Sequence, residues 1–107
     1  MFAPINSEMI KKRAQKLKAT QASRRFNAYE YLMKHSEKAF LVNLPINPLD
    51  VMHILLINGK KLILLNENAR VSIEDLNLGL TAEIAKIELG DHANDENVKM
   101  FVKSLLD

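Results

Sequence analysis

The chain has 107 residues, of which 48% are hydrophobic and 26% are charged, which is the composition of one ordinary globular domain with a modest core. Cysteine is absent, which excludes disulfides, thiolate metal sites and cysteine nucleophiles and favours a reducing compartment. The opening residues, MFAPINSEMIKKR, contain no apolar signal-peptide core, and no apolar run is long enough to span a bilayer. We therefore expect a soluble cytoplasmic protein.

The net charge of +2 conceals a division between two parts of the chain. Residues 1–38 hold nine Lys/Arg against three Glu, whereas residues 39–107 hold six Lys/Arg against ten Asp/Glu. A basic segment of this kind predicts an anionic partner. Three interpretations stay open: a solvated helix face folded back on the acidic part, contact with nucleic acid, or a helix lying on a membrane surface. The last is weakened because Met9–Arg25 contains no large aromatic residue.

Residues 1–43 are predicted to form a long basic helical segment. Ser7 is the expected N-cap, and Glu8 places an acid in the first turn. The periodic apolar residues that follow are Ile10, Ala14 and Leu17, and a second, offset series is Ala22, Phe26, Tyr29, Met33 and Phe40. We expect a bend where the two series meet, in KATQASRR. The candidate DNA contacts are the basic residues of the first part of this segment: Lys11, Lys12, Arg13, Lys16, Lys18, Arg24 and Arg25.

Residues 44–66, LPINPLDVMHILLINGKKLILLN, form the most apolar stretch and can fold in two ways. Asn58-Gly59 between two hydrophobic runs is a strong β-hairpin signal. Alternatively, Asn47-Pro48 begins one short helix and Asn58 caps a second. We favour the helix pair, over residues 44–70, because Leu and Met outnumber the β-branched residues. A hairpin that is apolar on both faces would also need covering, and no other segment is predicted to be a strand.

Residues 71–107 are predicted to be helical throughout. Ser72 with Asp75 resembles a capping box and begins a helix that Gly79 stops. Thr81 begins the next helix, which Gly90 ends. The last helix starts at Asn94 or Asp95, and its apolar stripe comprises Val98, Phe101, Val102 and Leu105. The predicted fold is therefore all-α: one domain of five or six helices, with a long basic N-terminal helix, a short central helix pair and a helical C-terminal part.

The sequence contains little that suggests catalysis or metal binding. Its three glycines are isolated and cannot form a phosphate-binding loop. The best acidic cluster is GDHANDEN, with Asp91, His92, Asp95 and Glu96. It lacks the central Gly and the terminal Glu of a calcium loop, and a turn before a capped helix explains the same residues. We expect no enzymatic activity, no metal and no cofactor.

The segment YLMKHSEKAFLVNLPIN, followed by PLDVMHILLINGKKLILLNEN, resembles the central part of FlhD, the flagellar master-regulator subunit, and of related mobile-element activator subunits. The resemblance covers about residues 31–67. The matching positions are Leu32, Leu44, Ile46, Asn47, Ile54, Ile57, Leu62, Leu65, Asn66 and Glu67. It implies an all-helical dimer that works with an FlhC-like subunit, binds double-stranded DNA upstream of promoters and recruits RNA polymerase. In this family the structural zinc belongs to the partner.

Together these observations predict a non-enzymatic transcriptional activator subunit that forms a homodimer within a hetero-oligomer. The predicted partner interface comprises Phe26, Tyr29, Met33, Met52, Ile54, Leu55, Leu62 and Leu65. The resemblance implies helix-turn-helix character for the C-terminal part. Its second helix, Thr81–Leu89, carries one Lys and two Glu, which is unfavourable beside phosphates, so the charge pattern places DNA contact in the N-terminal segment instead. The alternative is a protein-binding adaptor, such as a chaperone, antitoxin or phage inhibitor, whose basic helix docks on an acidic partner.

Overall fold

The structure, a computed structural model, describes residues 6–22, 25–45 and 51–107. The elements in chain order are α1 (Ser7–Lys18), α2 (Ala28–Lys34), β1 (Ala39–Leu44), β2 (Met52–Ile57), β3 (Lys60–Asn66), α3 (Ile73–Leu89), a 3-10 turn (Gly90–His92) and α4 (Asp95–Leu106). The described chain therefore has a mixed α/β fold with four α-helices and a three-stranded sheet, and the predicted all-α fold of five or six helices is wrong.

The chain divides into two compact units. The helical unit comprises Met1–Ala28 and Asn77–Asp107, and it contains α1, α4 and most of α3. The sheet unit comprises Tyr29–Leu76 and contains the three strands and nearly all of α2.

The sheet has the strand order β1-β3-β2, so β3 is the central strand. β3 runs parallel to β1 and antiparallel to β2, and Ile63 of β3 lies between Leu41 and Ile54 of its two neighbours. Asn58 and Gly59 connect β2 to β3 with backbone φ angles of 51° and 78°. Positive φ at both central residues is what the tight two-residue turn of a β-hairpin requires, and Asn-Gly is the favoured pair for it.

The predicted helix pair over residues 44–70 is therefore wrong, and so are the helices that the resemblance to FlhD implies in this segment. The physical reason is β1, which supplies a second neighbour for β3 and makes a Leu-rich strand stable in a central position. Our prediction had placed Phe40 of β1 on a helix and thus left the hairpin without a third strand. The predicted helix start at Asn47-Pro48 lies outside the described residues.

The predicted long N-terminal helix is also wrong, because α1 ends at Lys18. The chain turns within the KATQASRR stretch, where we predicted a bend. The Gln21 side chain stabilises the turn by two hydrogen bonds: its Nε2 donates to the carbonyl of Asn27 over 2.9 Å, and its Oε1 accepts from the N–H of Asn27 over 2.7 Å. A separate helix, α2, then begins at Ala28.

A local capping residue sets the start of three of the four described helices. Asn6, rather than the predicted Ser7, caps α1, because its Oδ1 accepts from the N–H of Met9 over 2.9 Å. Ser72 caps α3, accepting from the N–H of Asp75 over 3.1 Å. Asn94 caps α4 in the same way, over 2.8 Å. Each bond satisfies one of the unpaired N–H groups in the first turn of a helix.

Contrary to the prediction, α3 continues without interruption through Gly79 and Thr81. The Thr81 hydroxyl donates to the carbonyl of Asn77 over 2.6 Å and so bonds back to the preceding turn instead of capping a new helix. Gly90, with φ of 56°, ends the helix as predicted.

In the helical unit α1 packs against α4, and α3 adds buried apolar side chains of its own. The buried apolar side chains of this unit are Ile10, Ala14, Phe26, Ala28, Leu80, Ile84, Ala85, Leu89, Phe101 and Leu105. Asn77 fixes the segment before α2 inside this unit. Its Oδ1 accepts from the N–H of Ala28 over 3.0 Å, and its Nδ2 donates to the carbonyl of Phe26 over 3.1 Å.

Candidate nucleic-acid interface

The outer face of α1 is the most basic helical surface that the structure describes. Ile10 and Ala14 are buried on the side that packs against α4, Leu17 and Lys18 are half-buried, and the other positions of the helix are exposed. The exposed cations of this helix are Lys11, Lys12, Arg13 and Lys16. We call these four residues the α1 basic face.

No described carboxylate forms an ion pair with any residue of the α1 basic face. Glu8 is the one acidic residue of the helix, and it lies in the first turn. Lys12 and Lys16 are one helical turn apart, about 6 Å along the axis, and therefore project side by side. Four cations on a helix whose opposite side is fixed in a core form a preorganised site for an extended anion.

The other three predicted DNA contacts have different positions. Lys18 is half-buried, and its Nζ donates to the main-chain oxygen of Asp107, so it is bound within the helical unit. Arg25 is exposed in the same unit and takes part in an interaction of its own. Arg24 lies outside the described residues. The structure thus leaves four of the seven predicted residues exposed on one helix: Lys12 and Lys16 project side by side, and Lys11 and Arg13 lie on the two flanks.

The charges of the two units agree with an anion-binding site on α1. The helical unit contains ten Lys/Arg and seven Asp/Glu, whereas the sheet unit contains five and six. On α4 the exposed cations Lys99 and Lys103 share their helix with Asp95 and Glu96, which precede Lys99 by one turn. On α1 five cations share the helix with the single acid Glu8, which precedes Lys12 by one turn, so the excess of positive charge is concentrated on α1.

The C-terminal end of α3 offers little to a phosphate backbone. Lys86 is the single cation of residues 81–89, and its Nζ pairs with Oε2 of the buried Glu83 over 2.9 Å. The helix that the resemblance to FlhD implies as a DNA-reading element therefore has its one positive charge already neutralised.

The eight predicted interface residues differ in exposure, and they fall in both units. Phe26 and Leu65 are buried, in the helical and the sheet unit respectively. Half-buried residues of the set are Tyr29, Met52 and Leu62, and exposed residues of the set are Met33, Ile54 and Leu55.

Sequence reasoning missed the most exposed apolar residues of β2, namely Leu56 at 72% and Ile57 at 50% exposure, and also Phe40 of β1 at 46%. The hairpin interpretation would have found Leu56 and Ile57, because it puts apolar residues on both faces of a strand pair, but not Phe40, which lies on β1 outside the hairpin.

A cavity of about 290 Å³ lies within the sheet unit. Its polar lining consists of Tyr29, Asn43, Asn66 and Glu67. Burial raises the pKa of Tyr29 above its ordinary 10.0, so its phenol is a protonated hydrogen-bond donor at neutral pH. The described lining contains no His, Lys or Ser.

The described residues contain no group of three or more His, Asp or Glu arranged to hold a metal ion. Asp91 and His92 of the acidic cluster lie in the 3-10 turn, and Asn94 serves as the cap of α4. This part of the cluster thus connects two helices.

No family model, curated protein or solved structure matches the chain. Of the helices in residues 6–22, 25–45 and 51–107, none is both long enough and apolar enough to cross a membrane.

Proposed function

We propose that this chain is a non-enzymatic DNA-binding protein that holds the phosphate backbone of double-stranded DNA with the α1 basic face. One observation carries the proposal: four exposed cations without described ion-pair partners share a helix whose other side is anchored on α4. Such a face attracts a polyanion, and DNA presents a regular row of negative charges.

The energetic basis is the release of counterions that are condensed on DNA. Each phosphate that a Lys or Arg neutralises releases condensed cations, so binding strengthens as the salt concentration falls. Contacts of this kind position a protein on DNA without reading its sequence. The geometry therefore supports binding that depends strongly on salt and weakly on sequence.

Transcriptional activation together with an FlhC-like subunit is the setting that the resemblance over residues 31–67 suggests. However, β1, β2 and β3 occupy that segment instead of the implied helices. The proposed DNA contact does not depend on the resemblance, because α1 lies outside the matching segment and its cations carry the argument.

The test is a fluorescence-anisotropy titration of a short labelled duplex at several salt concentrations between about 50 and 200 mM. We expect Lys12→Ala/Lys16→Ala to weaken binding about 100-fold at about 50 mM salt and about tenfold at about 200 mM, since two phosphate contacts are lost. The matched control is Lys99→Ala/Lys103→Ala, which removes two exposed cations at the same spacing from α4. Alanine keeps the helical propensity of all four positions high.

Absence of binding by the wild-type chain at about 50 mM salt would contradict the proposal. Equal losses in the two double variants would contradict the assignment to α1. If polyglutamate binds and the duplex does not, the same face serves an acidic protein partner, and the adaptor alternative replaces the DNA-binding function.

A further inference from the structure

The strand β2 has the composition of a central strand but the position of an edge strand. It is the outer strand of the sheet, bonded to β3 on one side, and no other described strand lies beside it. Its sequence, MHILLI, contains no Lys, Glu, Asp or Pro. Edge strands of soluble proteins usually carry such residues, because they discourage pairing with other chains. Nearly continuous apolar runs are typical of central strands that are covered on both faces of the sheet.

The exposed residues of β2 lie on both faces of the sheet. Ile54 and Leu56, exposed by 36% and 72%, point to one side, whereas Leu55 and Ile57, exposed by 47% and 50%, point to the other. A partner stacked on one face would leave the other pair in water. A strand added at this edge contacts both pairs and also bonds to the outward backbone groups of Ile54 and Leu56, beside which no other described strand lies. The pattern therefore calls for a strand as the occupant.

We propose that this strand is β2 of a second copy, paired antiparallel about a two-fold axis at Leu55. Leu55 then lies opposite Leu55 of the other copy, and Ile54 lies opposite Leu56. The result is one continuous six-stranded sheet. A two-fold interface needs only one self-complementary surface, and in this register the four exposed apolar residues meet apolar or neutral neighbours. His53 comes opposite Ile57.

Charge is compatible with this register. Lys60 pairs with Ile57 in its own chain. Because the two copies of β2 run in opposite directions, their Lys60 residues lie at opposite ends of the strand pair, and like charges do not face each other.

The small area of the proposed β2–β2 interface predicts a reversible dimer. The exposed fractions of the four residues correspond to about two complete side chains, or roughly 200 Å² of apolar surface on each copy. With the polar and main-chain parts included, the interface falls below about 1,000 Å² in total, the range of weak or transient complexes. We expect a dissociation constant on the order of micromolar.

The first experiment measures the oligomeric state by sedimentation equilibrium at protein concentrations below and above the expected dissociation constant. The wild-type chain should dimerise, and Leu55→Glu should weaken association at least tenfold, because it places two carboxylates opposite each other. Phe40→Glu is the matched control: Phe40 has nearly the same exposure, lies on the same face and belongs to β1, at the other edge of the sheet. It should leave the dimer intact.

Charge rescue separates a broken interface from a broken fold. Leu55→Lys alone should also be monomeric, and an equimolar mixture of Leu55→Lys and Leu55→Glu should dimerise again, since the two-fold axis brings these positions together. The chain has no native cysteine, so single cysteines test the register directly. Leu55→Cys should form an interchain disulfide readily, because opposed Cβ atoms lie about 5 Å apart, whereas the more exposed Leu56→Cys should not, being two residues out of register.

A wild-type chain that stays monomeric would overturn the proposal, as would a dimer that Leu55→Glu leaves unchanged. If Phe40→Glu dissociates the dimer and Leu55→Glu does not, the interface is not the β2 edge but the face of the sheet near Phe40. The measurements contain no DNA, so their outcome is independent of the proposed function of α1.

Discussion

Substitution of Gly59 by alanine distinguishes the hairpin from the helix pair by the sign of its effect on stability. Gly59 has φ of 78°, and a Cβ added there would meet no atom within 4 Å. The cost is therefore conformational: an L-residue in the left-handed region loses about 1–2 kcal/mol. The substitution also restricts the unfolded chain, which returns about 0.4–1 kcal/mol. We expect a net loss of about 1 kcal/mol in the free energy of unfolding.

In a helix, the same change from Gly to Ala would stabilise the protein by about 1 kcal/mol. The assay is urea and thermal unfolding followed by circular dichroism, in which the expected loss lowers Tm by about 4 °C. Gly90→Ala is the control, because Gly90 has φ of 56° with open space around it and ends a helix in both interpretations. It should destabilise by a similar amount. A Gly59→Ala variant as stable as the wild type, or more stable, would refute the hairpin.

Three further outcomes follow from the described contacts. Asn77→Ala leaves two part-buried backbone groups without their partners and should cost about 2 kcal/mol of unfolding free energy in urea; a loss below about 0.5 kcal/mol would contradict the bridging role. Asn94→Ala removes the cap of α4 and should cost about 1 kcal/mol in the same assay, whereas Asn94→Asp, which keeps an acceptor, should cost little. Because burial raises the pKa of Tyr29, the folded state keeps a proton that the unfolded chain loses, and stability should fall as pH rises above about 10. A difference absorbance titration against Tyr29→Phe measures this pKa, and a value at or below 10.0 would contradict the burial.

The features that sequence alone identified correctly depend on neighbouring residues. The caps at Ser72 and Asn94 bond to groups three residues away, and Gly90 ends its helix through its own backbone conformation. Such short-range signals act in the same way whatever the rest of the chain does.

The errors arose where distant residues decide the structure. Residues 60–66 contain good helix formers, yet they form a strand because β1, about twenty residues earlier in the chain, pairs with them. Among the candidate DNA contacts, the exposure of Lys12 and Lys16 could be predicted from helical periodicity. The hydrogen bond from Lys18 to Asp107 could not be predicted, because 89 positions separate the two residues.

The most direct test of DNA binding by the α1 basic face is the slope of log K against log salt concentration. Four phosphate contacts predict a slope of about −3.6 for the wild-type chain. The Lys12→Ala/Lys16→Ala variant should reduce it to about −1.8, while Lys99→Ala/Lys103→Ala should leave it near the wild-type value. A slope that the α1 substitutions do not change would contradict the account, because the phosphate contacts would then lie elsewhere.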